Sequence, residues 1–328
     1  MVKGNDAYCR AVIGVDVGNT RLTAAIVTPD GDIRAMLRYP TKASEGADAC
    51  YRQIEGMLLS LLGEAEKQSI TILGIGVGFG GPVDYRTGTI IRSHHVFGWS
   101  SFPMRQVLSN RFGMPVFLDN DANAGALGEL LFGAAKGHKN VLYVNIGTGI
   151  GGAIISDGKL IRGERNLAGE IGHITVVRGG PKCGCGKYGC LEAVASGTGI
   201  AKRAMELIRQ GELKTKLPMD SVTSKDVFEA AMDGDELAMK VVDETVEHLA
   251  HGLGIAITLL NPSMLIIGGG LSEAPEELLL NPLNERLKNY AFDVALEGLK
   301  VVNAKLRYDA GVLGAAALAI VGGEMNDD

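Results

Sequence analysis

No apolar run in the sequence reaches the ~18 to 20 residues that a membrane helix requires, so no membrane partner is expected. The opening residues, MVKGNDAYCRAVIGVDVG, lack the long apolar core and small-residue cleavage site of a signal peptide, and a cytoplasmic location is expected. There is no basic excess: 32 Lys and Arg against 38 Asp and Glu leave a formal charge of −6, which argues against nucleic acid as a partner. No low-complexity tether is present, so a domain boundary has to be a hinge. Two common phosphate fingerprints are missing as well. The glycine turn at 147–152 lacks the Gly-Lys-Ser/Thr ending of a Walker loop, and the strand that follows it excludes a Rossmann fingerprint. Cysteine is scarce, five in 328 residues, and unevenly spread.

Glycine, by contrast, is abundant: 46 residues, about twice the usual ~7%. Many follow apolar runs, the pattern of tight turns lying against ligands. A length of 328 residues with 46% hydrophobic and 21% charged residues suits two domains with substantial cores. Apolar patterning predicts strands over 11–17, 22–28 and 33–39, a helix over 46–68, a strand over 72–79, a helix over 102–111 and a strand over 115–118. A second series repeats the first: a strand over 140–146, a glycine turn, and a strand resuming at 153–156. Helices are predicted at 197–210, 224–232 and 235–260, then a strand at 264–267 and an alanine-rich helix at 310–321. The strand–glycine turn–strand openings DVGNT (16–20) and NIGTG (145–149) point to two duplicated α/β domains facing one cleft. The hinge is expected near 118–122. It gives domains of 1–120, completed by a C-terminal helix at 310–324, and 121–309.

Each opening is a turn whose backbone N–H groups can face a phosphate. Asp16, at a strand end, is placed to hold Mg²⁺ through water, a cation that prefers carboxylate, water and phosphate oxygens. Asp119-Asn120-Asp121 opens a helix; one of the three suits an N-cap. A carboxylate there can also accept a proton from a substrate hydroxyl, as kinases require. Cys183, Cys185 and Cys190 crowd into eight residues, and with one histidine they form a closed Cys₃His set of the structural zinc type. Six histidines compete for the fourth position. The interleaved Gly184, Gly186 and Gly189 let a short backbone wrap a metal. Glu170 and Glu192 flank this knot as candidates to accept hydrogen bonds from sugar hydroxyls. His94 and His95 are read as loop residues.

Taken together these residues resemble the ROK family (repressors, uncharacterised frames and sugar kinases), its glucokinases in particular. The resemblance spans nearly the whole chain. It is carried by DVGNT, where the family has Asp-x-Gly-Gly-Thr, by GTGIGG at 147–152, and by Asn-Asp-Ala-Asn at 120–123. It is carried further by AGEIGH at 168–173, CGCGKYGCLE at 183–192 and NPSMLIIGGGLS at 261–272. It implies an actin-like (ribonuclease H-like) two-domain sugar kinase fold with a central cleft, and an ATP-dependent hexose kinase acting on a 6-hydroxyl, glucose first. Other hexoses (N-acetylglucosamine, N-acetylmannosamine, fructose, allose) stand behind. By the same resemblance Asp121 is the catalytic base, and Gly81, Asn120, Glu170, His173 and Glu192 bind the sugar. Asp16, Gly18, Asn19, Thr20, Gly147, Thr148, Gly149, Gly268 and Gly269 bind nucleotide, and His173, Cys183, Cys185 and Cys190 hold zinc. Mg²⁺ with ATP, a structural Zn²⁺ and a homodimer or homotetramer are implied.

One departure is Asn19, which replaces the second glycine of the first phosphate motif. If that position needs positive φ, Asn is the least costly substitute. A sugar-sensing repressor of the same fold would need an N-terminal winged helix of roughly 60 to 80 residues. The first strand is predicted to begin near residue 11, so a regulator is not the expectation. DVGNT alone also resembles type III pantothenate kinases, which lack the AGEIGH and cysteine-rich stretches.

Overall fold

A computed structural model describes residues 9–93 and 96–324; the paired His94 and His95 lie outside the described residues. The chain divides into two compact units. Unit 1 runs up to Lys136 and includes Arg162–Leu167 and the residues from Tyr308 onward; unit 2 comprises Gly137–Ile161 and Ala168–Arg307.

In unit 1, strands β1 (Cys9–Val17), β2 (Arg21–Val27) and β3 (Ile33–Pro40) form an antiparallel meander. Helix α1 (Ala47–Lys67) leads to β4 (Ile70–Phe79), and the short hairpin β5 (Val83–Asp84) and β6 (Thr89–Ile90) precedes α2 (Met104–Phe112). Strand β7 (Val116–Asn120) runs directly into α3 (Asp121–Leu131). The sheet order is β3-β2-β1-β4-β7, with β1, β4 and β7 parallel.

Unit 2 has the same connectivity. Strands β8 (Val141–Ile146), β9 (Ile150–Ser156) and β10 (Lys159–Ile161) form the meander, and β11 (Met264–Gly268) and β12 (Lys300–Asn303) add in parallel, in the order β10-β9-β8-β11-β12. Between them come α4 (Leu191–Ala195), α5 (Gly197–Gln210), α6 (Ser224–Met232) and α7 (Glu236–Leu260), and α8 (Leu280–Leu287) and α9 (Asp293–Leu296) follow β11. The last helix, α10 (Ala310–Glu324), returns to unit 1.

Burial on both faces explains why β1 and β4 read as continuous apolar runs. Ile13, Val15, Ile75 and Val77 face a core completed by Ile54, Leu58 and Leu61 of α1. The alternate positions, Gly14 and Gly76, lie under α10. A Cβ on Gly76 would stand 1.7 Å from the Ala315 carbonyl oxygen, and one on Gly14 would stand 2.3 Å from that of Val312. Part of the glycine excess therefore serves packing: the alanine-rich α10 lies directly on the strand backbones.

Two sequence expectations change. The first unit extends past the expected 120/121 boundary to Lys136, because α3 packs on α10 and belongs to the same body. The second glycine turn is shorter than expected, since β9 resumes at Ile150 and not at 153. Short elements (α4, α8, α9, β5, β6, β10 and β12) are additions with no periodic signal of their own.

Candidate active site

In unit 1 the turn between β1 and β2 is closed by the Gly18 N–H donating to Arg21 O at 3.0 Å, and Thr41 Oγ1 donates to Gly18 O at 2.7 Å. Asn19 is not among the described residues at positive φ. The backbone therefore does not demand glycine at this position, and the condition under which Asn would be the least costly substitute does not arise. Asp16 ends β1 against the first turn of α10, where a Cβ on Gly311 would stand 2.5 Å from its carboxylate. Burial, and next the neighbouring Asp121 carboxylate, push Asp16 up to about 7, against the pull of Arg21 and Arg38.

Asn120 is the N-cap of α3: its Oδ1 accepts from Ala122 N at 2.8 Å and Asn123 N at 3.4 Å. Its Nδ2 donates to Gly81 O at 3.2 Å, which places Gly81 beside it. Asp121, in the first helical turn, keeps its carboxylate toward the same end of the sheet. A Cβ on Gly80 would stand 3.7 Å from Asp121 Oδ2 and 4.0 Å from Asn19 Nδ2. Thus Asp16, Asn19, Gly81, Asn120 and Asp121 gather at the C-terminal ends of β1, β4 and β7, where ligands of open α/β sheets bind.

Unit 2 carries its own set. The Gly147–Gly149 turn is closed by Gly147 N–H donating to Gly149 O at 2.9 Å, and Gly197 N–H donates to Gly147 O at 2.8 Å. Thr148 lies at the middle of this turn. Gly268 ends the neighbouring β11 and Gly269 follows it; a Cβ on Gly268 would stand 2.5 Å from Tyr143 Oη, and Gly269 has a φ of +80°. Glu192, in the first turn of α4, accepts the Ile150 N–H on Oε2 at 3.0 Å. A Cβ at position 149 would stand 2.4 Å from the same oxygen, so a larger residue there would displace the Glu192 carboxylate from this contact. Glu192 Oε1 lies 3.7 Å from Cys183 Sγ.

The ligand atoms of His173, Cys183, Cys185 and Cys190 all lie within 4.8 Å of one another. His173 Nδ1 is 3.7 Å from Cys183 Sγ, and Cys185 Sγ is 3.7 Å from Cys190 Sγ. Tetrahedral zinc with 2.3 Å bonds to sulfur sets its thiolates about 3.8 Å apart, so the residues fit that metal. His173 Nε2 points the other way, 3.8 Å from Glu170 Oε2. Burial pushes Cys190 up to about 12 and raises Cys183, whereas the Lys187 backbone N–H holds exposed Cys185 below the usual thiol range. A divalent cation is the group that would hold all three as thiolates. The loop folds around Gly186 and Gly189, at φ of +89° and +70°; Gly184 takes no such conformation.

Sequence reasoning did not find Arg162. Its Nε donates to the buried carboxylate of Asp119 at 2.7 Å. The two residues are 43 apart in the chain, and nothing local marks Arg162 among the 32 Lys and Arg.

Two sheets of one connectivity, each opening on a glycine turn, define an actin-like two-domain fold of the sugar kinase class. The ROK family matches residues 12–321, and the chain belongs to that family. It is 40% identical over 315 residues to a glucokinase of Halalkalibacterium halodurans, covering 93% of each chain. Its structure is similar to the ROK hexokinase of Thermus thermophilus, with a TM-score of 0.81, 33% identity and coverage of 97% of this chain and 100% of the other. It is also similar to a Streptomyces griseus ROK glucokinase in complex with glucose and AMPPNP, with a TM-score of 0.77, 33% identity and coverage of 94% and 98%.

Proposed function

We propose that the chain is an ATP-dependent hexose kinase, transferring the γ-phosphoryl group to the 6-hydroxyl of a hexose, with glucose the first acceptor. The observation that carries this reading is the carboxylate pair in unit 1. Asp121 stands in the first turn of a helix capped by Asn120, and its charge reaches Asp16 at the phosphate-type turn. Asp121 takes the proton of the attacking hydroxyl, and Asn120 orients the sugar beside it. Mg²⁺ carried by ATP supplies charge neutralisation at the phosphates, and Asp16 is the residue that would hold it through water. Gly18, Asn19 and Thr20 face phosphate in unit 1; Gly147, Thr148 and Gly149 do so in unit 2, with Gly268 and Gly269 against adenosine.

In unit 2, Glu170, His173 and Glu192 are assigned to sugar hydroxyls. His173 is suited to this because Nδ1 faces the sulfur set while Nε2 faces Glu170. Zinc on His173, Cys183, Cys185 and Cys190 would fill four ligand positions and act through architecture. Family resemblance supports a homodimer or homotetramer and a cytoplasmic setting.

A coupled assay of ADP release over a panel of hexoses tests the assignment, with glucose expected to give the highest kcat/KM. Replacement of Asp121 by Ala should lower kcat by about 10²–10⁴-fold while glucose binding stays measurable by calorimetry. Turnover of no hexose, or a near-normal kcat in the variant, would overturn the reading.

A further inference from the structure

Asp119 is 1% exposed, and a buried carboxylate is tolerated only when it is paired and fully hydrogen-bonded. Oδ1 accepts from the Asn120 backbone N–H and from Asn123 Nδ2, both at 2.8 Å. Oδ2 accepts from Arg162 Nε at 2.7 Å. The Arg162 guanidinium is itself placed, with its central carbon 4.2 Å from the centre of the Tyr85 ring.

The path of the chain singles out this arginine. Strand β10 ends at Ile161 in unit 2; residues Arg162–Leu167 then belong to unit 1, and the chain re-enters unit 2 at Ala168, two residues before Glu170. Among the described residues the excursion is anchored by Arg162 on Asp119 and by Asn166, whose Nδ2 donates to Asp84 Oδ1 at 3.2 Å. A six-residue departure from one body for two such contacts is more than a surface ion pair needs.

We propose that Arg162 is a positioning residue for phosphoryl transfer, acting through Asp119 on the junction that presents Asn120 and Asp121. The inference rests on the kinase reading and on Asp121 as its base. Asp119 holds the Asn120 N–H and the Asn123 side chain, one residue before and two residues after Asp121. With Arg162 absent, the Asp119 carboxylate is left buried with two neutral donors, and the β7–α3 junction must shift to rehydrate it. A displacement of about 1 Å at a reacting group costs up to ~10²-fold in rate. The loss should appear in kcat, because the base acts on the proton in the transition state. Among the described residues no hydrogen bond is seen from the Gly18–Thr20 turn to this cluster, so the ATP KM should stay within about threefold.

The test compares wild type, Arg162→Ala, Arg162→Lys and Asp121→Ala in one glucose–ATP assay, with melting temperature measured for each. Arg162→Ala should lose about 10- to 100-fold in kcat, and millimolar methylguanidinium should restore part of it saturably. Arg162→Lys keeps the charge but not the planar fork, and should fall between. It also preserves the test if the alanine variant does not fold. If wild type turns over and Asp121→Ala does not, yet both Arg162 variants stay within twofold of wild-type kcat, the inference fails while the kinase reading stands. A loss that follows melting temperature and ignores methylguanidinium makes Arg162 merely structural and also overturns it.

Discussion

Asp16 carries a pH signature that separates a nucleotide-site carboxylate from an ordinary turn residue. Its carboxyl is raised to about 7 by burial and by Asp121, from an ordinary value near 3.8. Between those values the folded state binds more protons than the unfolded one, so this group's contribution to stability falls as pH rises through the window. Asp16→Asn should therefore raise the melting temperature of the ligand-free protein more at pH 8 than at pH 5. Mg·ATP would favour the ionised form, and its binding at pH 7 should expel roughly half a proton from this site. Calorimetry in buffers of different ionisation enthalpy would measure the release, and identical proton release in wild type and Asp16→Asn would refute the placement. The sequence made Asp16 legible through its place at a strand end before a glycine turn. It could not show the charge coupling to Asp121, which depends on β1 and β7 reaching the same end of one sheet. The φ of Asn19 was open for a related reason: a motif position names a residue type, whereas φ is set by the folded turn.

At the scale of elements, the close seat of α10 on β1 and β4 explains why these strands alternate glycine with large aliphatics. Adding one methyl at Gly76 forces it against the Ala315 carbonyl, and overpacking of this kind costs about 1–3 kcal/mol or more. Gly56, on the exposed face of α1, meets nothing within 4 Å, and alanine there should stabilise by roughly 0.5–1 kcal/mol. Denaturant titration of Gly76→Ala and Gly56→Ala should thus give opposite signs; two equal values would mean that α10 does not sit where the structure puts it. The long elements were legible because burial on two faces or along one stripe writes a run or a period into the sequence. β12 and β10 were not, since edge strands of three or four half-exposed residues carry neither. The three cysteines of the His/Cys cluster were legible from local spacing, whereas Glu192–Ile150 and Asp119–Arg162, 42 and 43 residues apart, exist only through the fold.

Across the whole molecule, each unit has its own hydrophobic core, one around β1, β4 and α1 and the other around β8, β11 and α7. The metal set belongs to the second. Cys190 is the N-cap of α4, Leu191 is fully buried in that unit's core, and Glu192 takes the Ile150 N–H at the phosphate-type turn. Metal loss should therefore travel in two directions from one loop: into the start of α4, and through Glu192 to residues 147–152. Local opening of this kind is read by amide exchange. In the chelated protein or in Cys185→Ser, exchange should rise at 147–152 and 171–192, while β1, β4 and α10 keep their wild-type protection. On the proposed assignments the ATP KM should rise with the sugar KM, because Glu192, assigned to the sugar, also holds the Ile150 N–H at the turn assigned to phosphate. Metal analysis should find one zinc per chain in the wild type and little in the variant. Exchange that rises equally in both units, or a variant that lacks zinc yet keeps protection at 147–152 and both KM values, would show that the loop supports neither.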